Sequence, residues 1–270
     1  MRSRKRIIRR RRICLALAIG SILCLTGIAL YQSLTEGREG AYADAKGMGV
    51  KKEEKRTSAT ETIWNIYSGK EDREREKLKK EYEELLVLAN KDHAISKEYH
   101  PQLRNICKGR LQAAEVLYDD LVEMLEDAGE EGYQYYIASA YRSKDYQQKL
   151  INNDVGKLQK QGQSYHEALE QTYRQVMPAG YSEHETGLAL DILASDNSRL
   201  DITQESSPAN RWLQEHCFEY GFILRYPKDK EEITGIDYEP WHFRYVGRQA
   251  AKYLWESGLT LEEFWEDECE

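Results

Sequence analysis

Cysteine is scarce in this chain, with five residues in 270, and two of them, Cys14 and Cys24, lie in an apolar run near the N-terminus. The other three, Cys107, Cys217 and Cys269, are too few and odd in number for a disulfide framework, so the folded part must be held by its core. The sequence leaves undecided whether Cys107 and Cys217 form a single disulfide bridge. Because no cysteine lies beside a histidine motif, the sequence argues against a thiol nucleophile and a cysteine-rich zinc site.

The chain also lacks a glycine-rich phosphate loop, a Gly-x-Ser-x-Gly turn and a basic body. Its net charge is −8, and residues 1–30 hold eight Lys/Arg and no acid, which leaves 31 bases against 47 acids in the remainder. A protein that binds nucleic acid needs a basic face for the phosphates. The acidic body therefore argues against nucleic acid as a partner.

The N-terminal region combines a basic cluster, residues 1–12, with an uncharged stretch, residues 13–30. Eighteen helical residues approach the roughly 30 Å of a bilayer core, and basic residues before the span stay cytoplasmic. We therefore expect a cytoplasmic tail (1–12), a single-pass transmembrane anchor (13–31), a flexible stalk (32–71) and a body on the extracellular, cell-wall side. Two alternatives are a signal peptide cleaved near Ala41-Tyr42-Ala43 and an arginine-rich nucleic-acid arm, although the adjacent apolar run argues against the arm.

The rest of the chain alternates helical and strand patterns. Helices are predicted over residues 72–90, 107–128, 145–158, 165–176, 208–220 and 248–257, and strands over 133–140, 187–193, 222–226 and 238–246, with a charged loop or hairpin at 228–235. This order predicts an α+β domain over residues 72–257 (core 85–257), with a small antiparallel sheet flanked by helices. We expect residues 258–270, which are rich in Asp and Glu, to be a solvated acidic tail.

Two segments carry most of the chemistry: Ser182–Asp191, and Glu239-Pro240-Trp241-His242. His184, Asp191 and His242 offer three N/O ligands and leave a fourth position open, as in catalytic zinc sites. Glu239, three residues before the second histidine, could accept a proton from a water molecule that the ion acidifies.

The residues around Asp191 alternate as they would in a strand. Leu188, Leu190 and Ile192 would share one bulky face, which leaves Gly187, Ala189 and Asp191 on the other. The small residues would leave room beside the carboxylate for an ion and a substrate. In the second segment, Trp241, Phe243 and Tyr245 would share a face, opposite His242 and Arg244.

An alternative is that these residues bind no metal. One His-x6-Asp pair is a weak signal, and both histidines could be ordinary core or surface residues. The small residues around Asp191 and the Glu-x-x-His pattern, taken together, favour a metal site. We expect the other four histidines to lie at loop or helix surfaces.

Four segments in this order, Ser139–Ser143, Ser182–Asp191, Gly221–Pro227 and Tyr238–Gly247, closely resemble the VanY-type D-alanyl-D-alanine carboxypeptidases. These are zinc peptidases that trim peptidoglycan stem peptides. The resemblance covers roughly residues 85–257. It departs from the family pattern in one loop, Met177-Pro178-Ala179-Gly180, where the family more often has Pro directly before Gly.

The resemblance implies a role for each matching residue. It implies Zn²⁺ held by His184, Asp191 and His242, with Glu239 as the catalytic base and Arg142 near the developing oxyanion. It also suggests substrate contacts at Ser139, Gln147 and Ser182. Alternatives are that Arg142 is a structural ion-pair residue and that Ser143 is a helix cap.

The function implied is a membrane-anchored D,D-carboxypeptidase that removes the terminal D-alanine from stem peptides. An L,D-carboxypeptidase or an endopeptidase would use the same ligand motifs. A non-catalytic wall-binding module is a further alternative, against which the intact Glu239 argues.

Overall fold

The computed structural model describes residues 70–266. The predicted tail (1–12) and anchor (13–31) and nearly all of the stalk (32–71) lie outside this range. Within the described range, no helix combines the length and apolar composition that crossing a bilayer requires.

The described elements form a mixed helical and antiparallel fold, as predicted. Residues 70–81 form helix α1. Then follow β1 (Leu103–Ile106), β2 (Leu111–Ala114), α2 (Tyr118–Glu130), β3 (Tyr135–Ser139), α3 (Lys144–Lys160), α4 (Tyr165–Tyr173), β4 (Ala189–Ala194), α5 (Pro208–His216), β5 (Phe222–Leu224), α6 (Glu231–Thr234), β6 (His242–Tyr245), α7 (Arg248–Ser257) and α8 (Leu261–Trp265).

The larger sheet has four antiparallel strands in the order β3-β4-β6-β5. Residues opposite each other in such a sheet point to the same face. Asp191 faces His242, and Ala189 faces Arg244, so these four form one row on one face. Leu190 faces Phe243 on the other face.

The apolar face of this sheet lies in the main hydrophobic core. Leu188, Leu190 and Ile192 are almost inaccessible and belong to this core together with Phe243, which confirms the predicted alternation along β4. The core also takes in the inner residues of α2 and α5. The sheet is therefore covered by helices on this side, and its opposite face is free to hold polar groups.

The predicted helix over 107–128 is wrong in its first half. A hairpin of β1 and β2 precedes α2, with Cys107, Lys108 and Gly109 in left-handed conformations at its turn. Leu111, Ala114 and Leu117 have helical spacing, but long-range pairing overrides this local pattern. The amide of Ala114 donates to the carbonyl of Gly187 at 2.8 Å, so the hairpin packs directly on the segment that precedes Asp191.

That hairpin also changes the role of Gly187, which was expected to leave room for a substrate. A Cβ at Gly187 would meet the backbone nitrogen of Ala114 and the Cδ2 atom of Leu103, each at 3.0 Å. Gly187 has φ +72° and ends a short 3₁₀ turn, Glu183–Thr186. The space beside this glycine is therefore filled by the hairpin.

The predicted helix over 72–90 ends early, at residue 81. Beyond it, the carbonyls of Leu85 and Val87 both accept hydrogen bonds at 2.9 Å from the Nη2 atom of Arg244. A continuing helix would use these carbonyls internally. Leu86 and Ala89 in this segment are fully buried.

The prediction of a solvated acidic end is wrong for residues 258–266. Leu261 and Phe264 on α8 are fully buried in a second apolar cluster with α7 and α1. Glu262 is also buried, and its carboxylate forms a bidentate ion pair with Arg225 at 2.6 and 2.9 Å. The prediction rested on the number of acidic residues in this segment. It could not take account of Arg225, which is distant in sequence and pairs with Glu262 in the fold.

Two smaller boundaries also differ from the predictions, and one open question is answered. The charged segment 228–235 contains the short helix α6. The last strand begins at His242, so Glu239 lies in the turn before it. Cys107 and Cys217 are free thiols, which answers the question of a bridge between them.

Replacing Gly187 with alanine should destabilise the domain through both backbone strain and the contact with the hairpin. The left-handed conformation alone costs about 1–2 kcal/mol for an alanine. We expect the midpoint temperature of thermal unfolding (Tm) to fall by at least several degrees, since about 1 kcal/mol corresponds to roughly 2–4 °C in a domain of this size.

Gly258→Ala is the matched control, because Gly258 has φ +69° but no atom within 4 Å of its added Cβ. We expect the Tm of this variant to decrease less than that of Gly187→Ala. Equal decreases in Tm in the two variants would show that the hairpin does not constrain Gly187.

Candidate metal centre and active site

Three different elements supply the predicted ligands. Asp191 lies on β4 and His242 on β6, directly opposite each other in the sheet register. His184 lies in the 3₁₀ turn Glu183–Thr186, and its carbonyl accepts from the amide of Arg142 at 3.1 Å. All three side chains are buried. The sheet fixes two ligands, and the turn brings the third beside them.

The ligand atoms converge on one point. The Oδ1 atom of Asp191 lies 3.3 Å from the Nε2 atom of His184 and 3.3 Å from the Nδ1 atom of His242. One potential ligand atom from each residue lies within 4.8 Å of the others. The two imidazole rings meet edge to face, with centroids 4.9 Å apart. This spacing suits a single ion bound at about 2.0–2.2 Å by each ligand.

Hydrogen bonds fix which ring nitrogen of each histidine is available. The Nδ1 atom of His184 lies 2.7 Å from the carbonyl of Ala140, to which it donates, so Nε2 keeps its lone pair. On His242 the roles are reversed, because Nε2 faces the carboxylate of Glu183 at 3.5 Å and Nδ1 faces Asp191. Within residues 70–266, Nε2 of His184 and Oδ1 of Asp191 are buried without a hydrogen-bond partner. Unpaired buried acceptors are costly, and a cation would satisfy both atoms.

The charges around the ligands also favour a cation. Burial, assisted by the charge of Arg142, lowers the pKa of His184 to about 4, so this ring is neutral at neutral pH. Burial alone would lower the pKa of His242, but the carboxylates of Asp191 and Glu183 outweigh it and raise the pKa to about 9. Burial opposes ionisation of Asp191, yet the two histidines lower its pKa well below the usual range. The site thus concentrates negative charge among buried rings.

Glu239 lies in the turn before β6, with one carboxylate oxygen 3.5 Å from the Nδ1 atom of His242. Its amide donates to the carbonyl of Tyr226 at 3.1 Å, which fixes the turn. Burial raises the pKa of this carboxyl to about 8, with Asp191 adding to the effect and His242 and Arg142 opposing it. A pKa near neutrality suits a group that accepts a proton and later returns it.

These groups line a cavity of about 820 Å³. Ser182, Arg142 and Glu239 line it together with the three ligands. The Nε atom of Arg142 is buried and has no hydrogen-bond partner within the described residues. This argues against the alternative that Arg142 is a structural residue whose guanidinium is held in an ion pair.

Ser139 and Gln147 occupy different places from the other predicted contacts. Ser139 lies opposite Asp191 where β3 is bulged, and Gln147 is fully buried, with its amide donating to the carbonyl of Met177 at 2.7 Å. Neither is among the side chains that line the cavity. Their role in substrate binding stays a prediction. Ser143 caps α3 by accepting from the amide of Tyr146 at 3.3 Å.

Sequence reasoning missed a buried charged group next to His242. Glu183 accepts from Arg225 at 2.7 Å and from Arg244 at 2.6 Å, and all three side chains are inaccessible. One signal was available: Arg244 shares the predicted ligand face with His242, and a buried arginine there requires an acid.

The fold and the site together define a zinc-dependent hydrolase. Three buried N/O ligands form the metal site, a neighbouring carboxyl is available for proton transfer, and an open cavity gives access to both. The sequence model of the VanY family, D-alanyl-D-alanine carboxypeptidase, matches residues 110–248. The chain belongs to this family.

Two similar proteins agree with this assignment. The chain is 38% identical over 194 residues to the putative carboxypeptidase YodJ of Bacillus subtilis, covering 68% of each chain. It is 35% identical over 185 residues to a D-alanyl-D-alanine carboxypeptidase of Enterococcus faecalis, covering 68% of this chain and 66% of the relative.

Two solved structures resemble this one. A point mutant of the vancomycin-resistance D,D-pentapeptidase VanY in complex with Zn(II) is 33% identical, with TM-score 0.62, covering 68% of this chain and 99% of the other. The LD-carboxypeptidase LdcB is 35% identical, with TM-score 0.57, covering 67% and 86%. Zinc is thus the ion that matches both the donor set and the family.

His184→Ala should abolish stable zinc binding, because the site would keep two of its three protein ligands. The measurement is the zinc content of purified protein after dialysis against metal-free buffer. His166→Ala is the control, since the His166 side chain is 82% exposed and remote from the site's ligand set. Zinc retained at the wild-type level in His184→Ala would overturn the ligand assignment.

Proposed function

We propose that this protein is a zinc-dependent D,D-carboxypeptidase that removes the terminal D-alanine from peptidoglycan stem peptides. The observation that carries the proposal is the position of Glu239, whose carboxylate lies in the cavity 3.5 Å from the ligand nitrogen of His242. A module that only binds the wall has no need of a buried carboxyl at this position.

His184, Asp191 and His242 would hold the ion, which supplies Lewis-acid chemistry by polarising a carbonyl and acidifying water. Glu239 accepts the proton of the attacking water and delivers it to the amine that leaves with the terminal residue. Burial raises the pKa of this carboxyl, which strengthens it as a proton acceptor.

Arg142 contributes a fixed positive charge at the cavity wall. Its amide is held by the carbonyl of His184, and its Nε atom is buried without a partner among the described residues. The guanidinium is therefore preorganised to face the oxygen on which negative charge develops during attack. Electrostatic stabilisation of this kind is often the largest single contribution to catalysis.

An L,D-carboxypeptidase is the second candidate, and the similarity to LdcB favours it. The two activities share the metal ligands and the base, and they differ in the configuration of the residue before the scissile bond. An endopeptidase acting on the same peptides would require the cavity to admit chain on both sides of that bond.

We also propose that residues 13–31 anchor the chain in the cell membrane, with the catalytic domain outside. Support comes from the eight basic residues before the uncharged stretch. An anchor and stalk would keep the cavity close to the wall, where stem peptides are.

Glu239→Gln should keep zinc and lose hydrolysis, because the amide preserves the shape of the side chain but cannot accept the proton. Release of D-alanine from a pentapeptide stem and from a tetrapeptide stem is measured with wild type and variant, alongside zinc content. Wild type is expected to act on the pentapeptide. Preference for the tetrapeptide would favour the L,D-activity.

Glu231→Gln is the matched control, since Glu231 lines the same cavity but is not one of the metal ligands. It should retain most of the wild-type rate. Full activity in Glu239→Gln would remove this residue as the base, and a zinc-loaded wild type that releases D-alanine from neither stem would reject the proposed function.

Arg142→Ala should lower kcat by about 10²–10³-fold, as for the loss of one oxyanion donor. Arg174→Ala tests the specificity of this effect, because Arg174 lines the same cavity but its guanidinium is paired with Asp237 at 2.7 Å. Its kcat should fall much less. Equal losses in the two variants would assign Arg142 a general electrostatic role.

A further inference from the structure

Four charged side chains form a buried cluster that adjoins His242: Glu183, Arg225, Arg244 and Glu262. We call it the buried ion-pair cluster. None of these side chains is more than 7% exposed. It joins the turn that carries His184 to β6 and α8. Glu262 lies beyond the residues that the family model matches.

The cluster is electrically balanced, with two carboxylates and two guanidinium groups. Buried ion pairs of this kind are retained only when every charge has partners, because desolvation of each ion is costly. Such an arrangement adds little to stability compared with an apolar core of the same volume. Its presence next to a metal ligand therefore suggests a role in the metal centre.

The two oxygens of Glu183 have separate partners. Oε1 accepts from Arg225 and Arg244, at 2.7 and 2.6 Å. Oε2 makes no hydrogen bond within residues 70–266 and faces the Nε2 atom of His242 at 3.5 Å. Metal-ligating histidines usually direct their second nitrogen at such a carboxylate, which fixes the tautomer and the ring. Glu183 is in the right place to keep the Nδ1 lone pair of His242 directed at the ion.

Glu262 acts one step further away. Its two oxygens accept from Nη1 and Nη2 of Arg225 at 2.9 and 2.6 Å, which leaves Nε of Arg225 for Glu183. Asn90 donates to Glu262 at 3.0 Å and holds the carboxylate from the other side. Without this carboxylate, both Nη groups of Arg225 would be buried without an anion. The other carboxylate that Arg225 contacts is Glu183, whose second oxygen faces His242.

We propose that Glu183 and Glu262 are positioning residues of the metal centre, and that Glu262 acts through Arg225 to keep one oxygen of Glu183 available to His242. The C-terminal helix α8 is thus part of the zinc site. The inference concerns the metal centre that the proposed function uses, and its test does not depend on which peptide is cleaved.

The test compares the zinc affinities of the wild type, Glu183→Gln and Glu262→Gln by competition with a chelator. Loss of a group that orients a metal ligand typically lowers metal affinity by about 10–100-fold. We expect a loss in this range for Glu183→Gln and about 10-fold for Glu262→Gln. The absorption spectrum of cobalt-substituted protein, which reports ligand geometry, should change in both variants.

Glu263→Gln is the matched control. Glu263 neighbours Glu262 on α8 and pairs with Lys230 at 2.7 Å, outside the cluster. Its zinc affinity should stay within about twofold of wild type, since a surface ion pair contributes little. Thermal unfolding of the zinc-free proteins shows whether each variant is folded.

A double variant, Arg225→Met with Glu262→Gln, covers the case in which Glu262→Gln alone does not fold. It removes one charge of each sign and keeps an acceptor for Asn90. It should fold, and its zinc affinity should recover toward that of the wild type, because Arg225 is no longer present to draw on the second oxygen of Glu183.

Wild-type zinc affinity and cobalt spectrum in folded Glu262→Gln would overturn the proposal, even if Glu183→Gln were weakened. A loss in the double variant as large as that in Glu183→Gln would also overturn it, because Glu262 would then not act through Arg225. An equal loss in Glu263→Gln would also overturn it, since the effect would then belong to α8 in general. Failure of the wild type to cleave any stem peptide would reject the proposed function and leave this comparison intact.

Discussion

The pairing of β4 with β6 is the constraint on which the metal site depends. Antiparallel register places Asp191 directly opposite His242, and a slip of one residue would turn one of them into the apolar core. Leu190 and Phe243, adjacent to these ligands along the two strands, are inaccessible in that core. The hydrophobic effect on one face of the sheet therefore fixes the geometry of the ligands on the other.

Burial of so many charged groups on that face requires compensation. Arg225 and Arg244 are among the largest fully buried side chains in the described residues, and Glu183 is buried between them. Their charges are matched by carboxylates, and the Nη2 atom of Arg244 donates to the carbonyls of Leu85 and Val87. The chain before β1 thus departs from helical structure in order to complete the hydrogen bonding of a residue on β6.

Much of the site could be predicted from local patterns, and the parts that could not depend on distant contacts. The alternation around Asp191 and the Glu-x-x-His spacing need only neighbouring residues. The hairpin before α2 could not be found in this way, because Leu111 and Ala114 fit a helix equally well and only pairing with Leu103–Ile106 and Gly187 decides between them. Glu262 was taken for a solvated acid since nothing close in sequence reveals the buried Arg225.

The order in which the cluster is synthesised has a consequence for folding in the cell. Arg225 precedes Glu262 by 37 residues, so a growing chain exposes both arginines and Glu183 well before the second carboxylate exists. Domains fold as units from the N-terminus during translation. In this protein the strands of the larger sheet all precede α8, so the Nη groups of Arg225 gain their carboxylate only when α8 packs against the sheet.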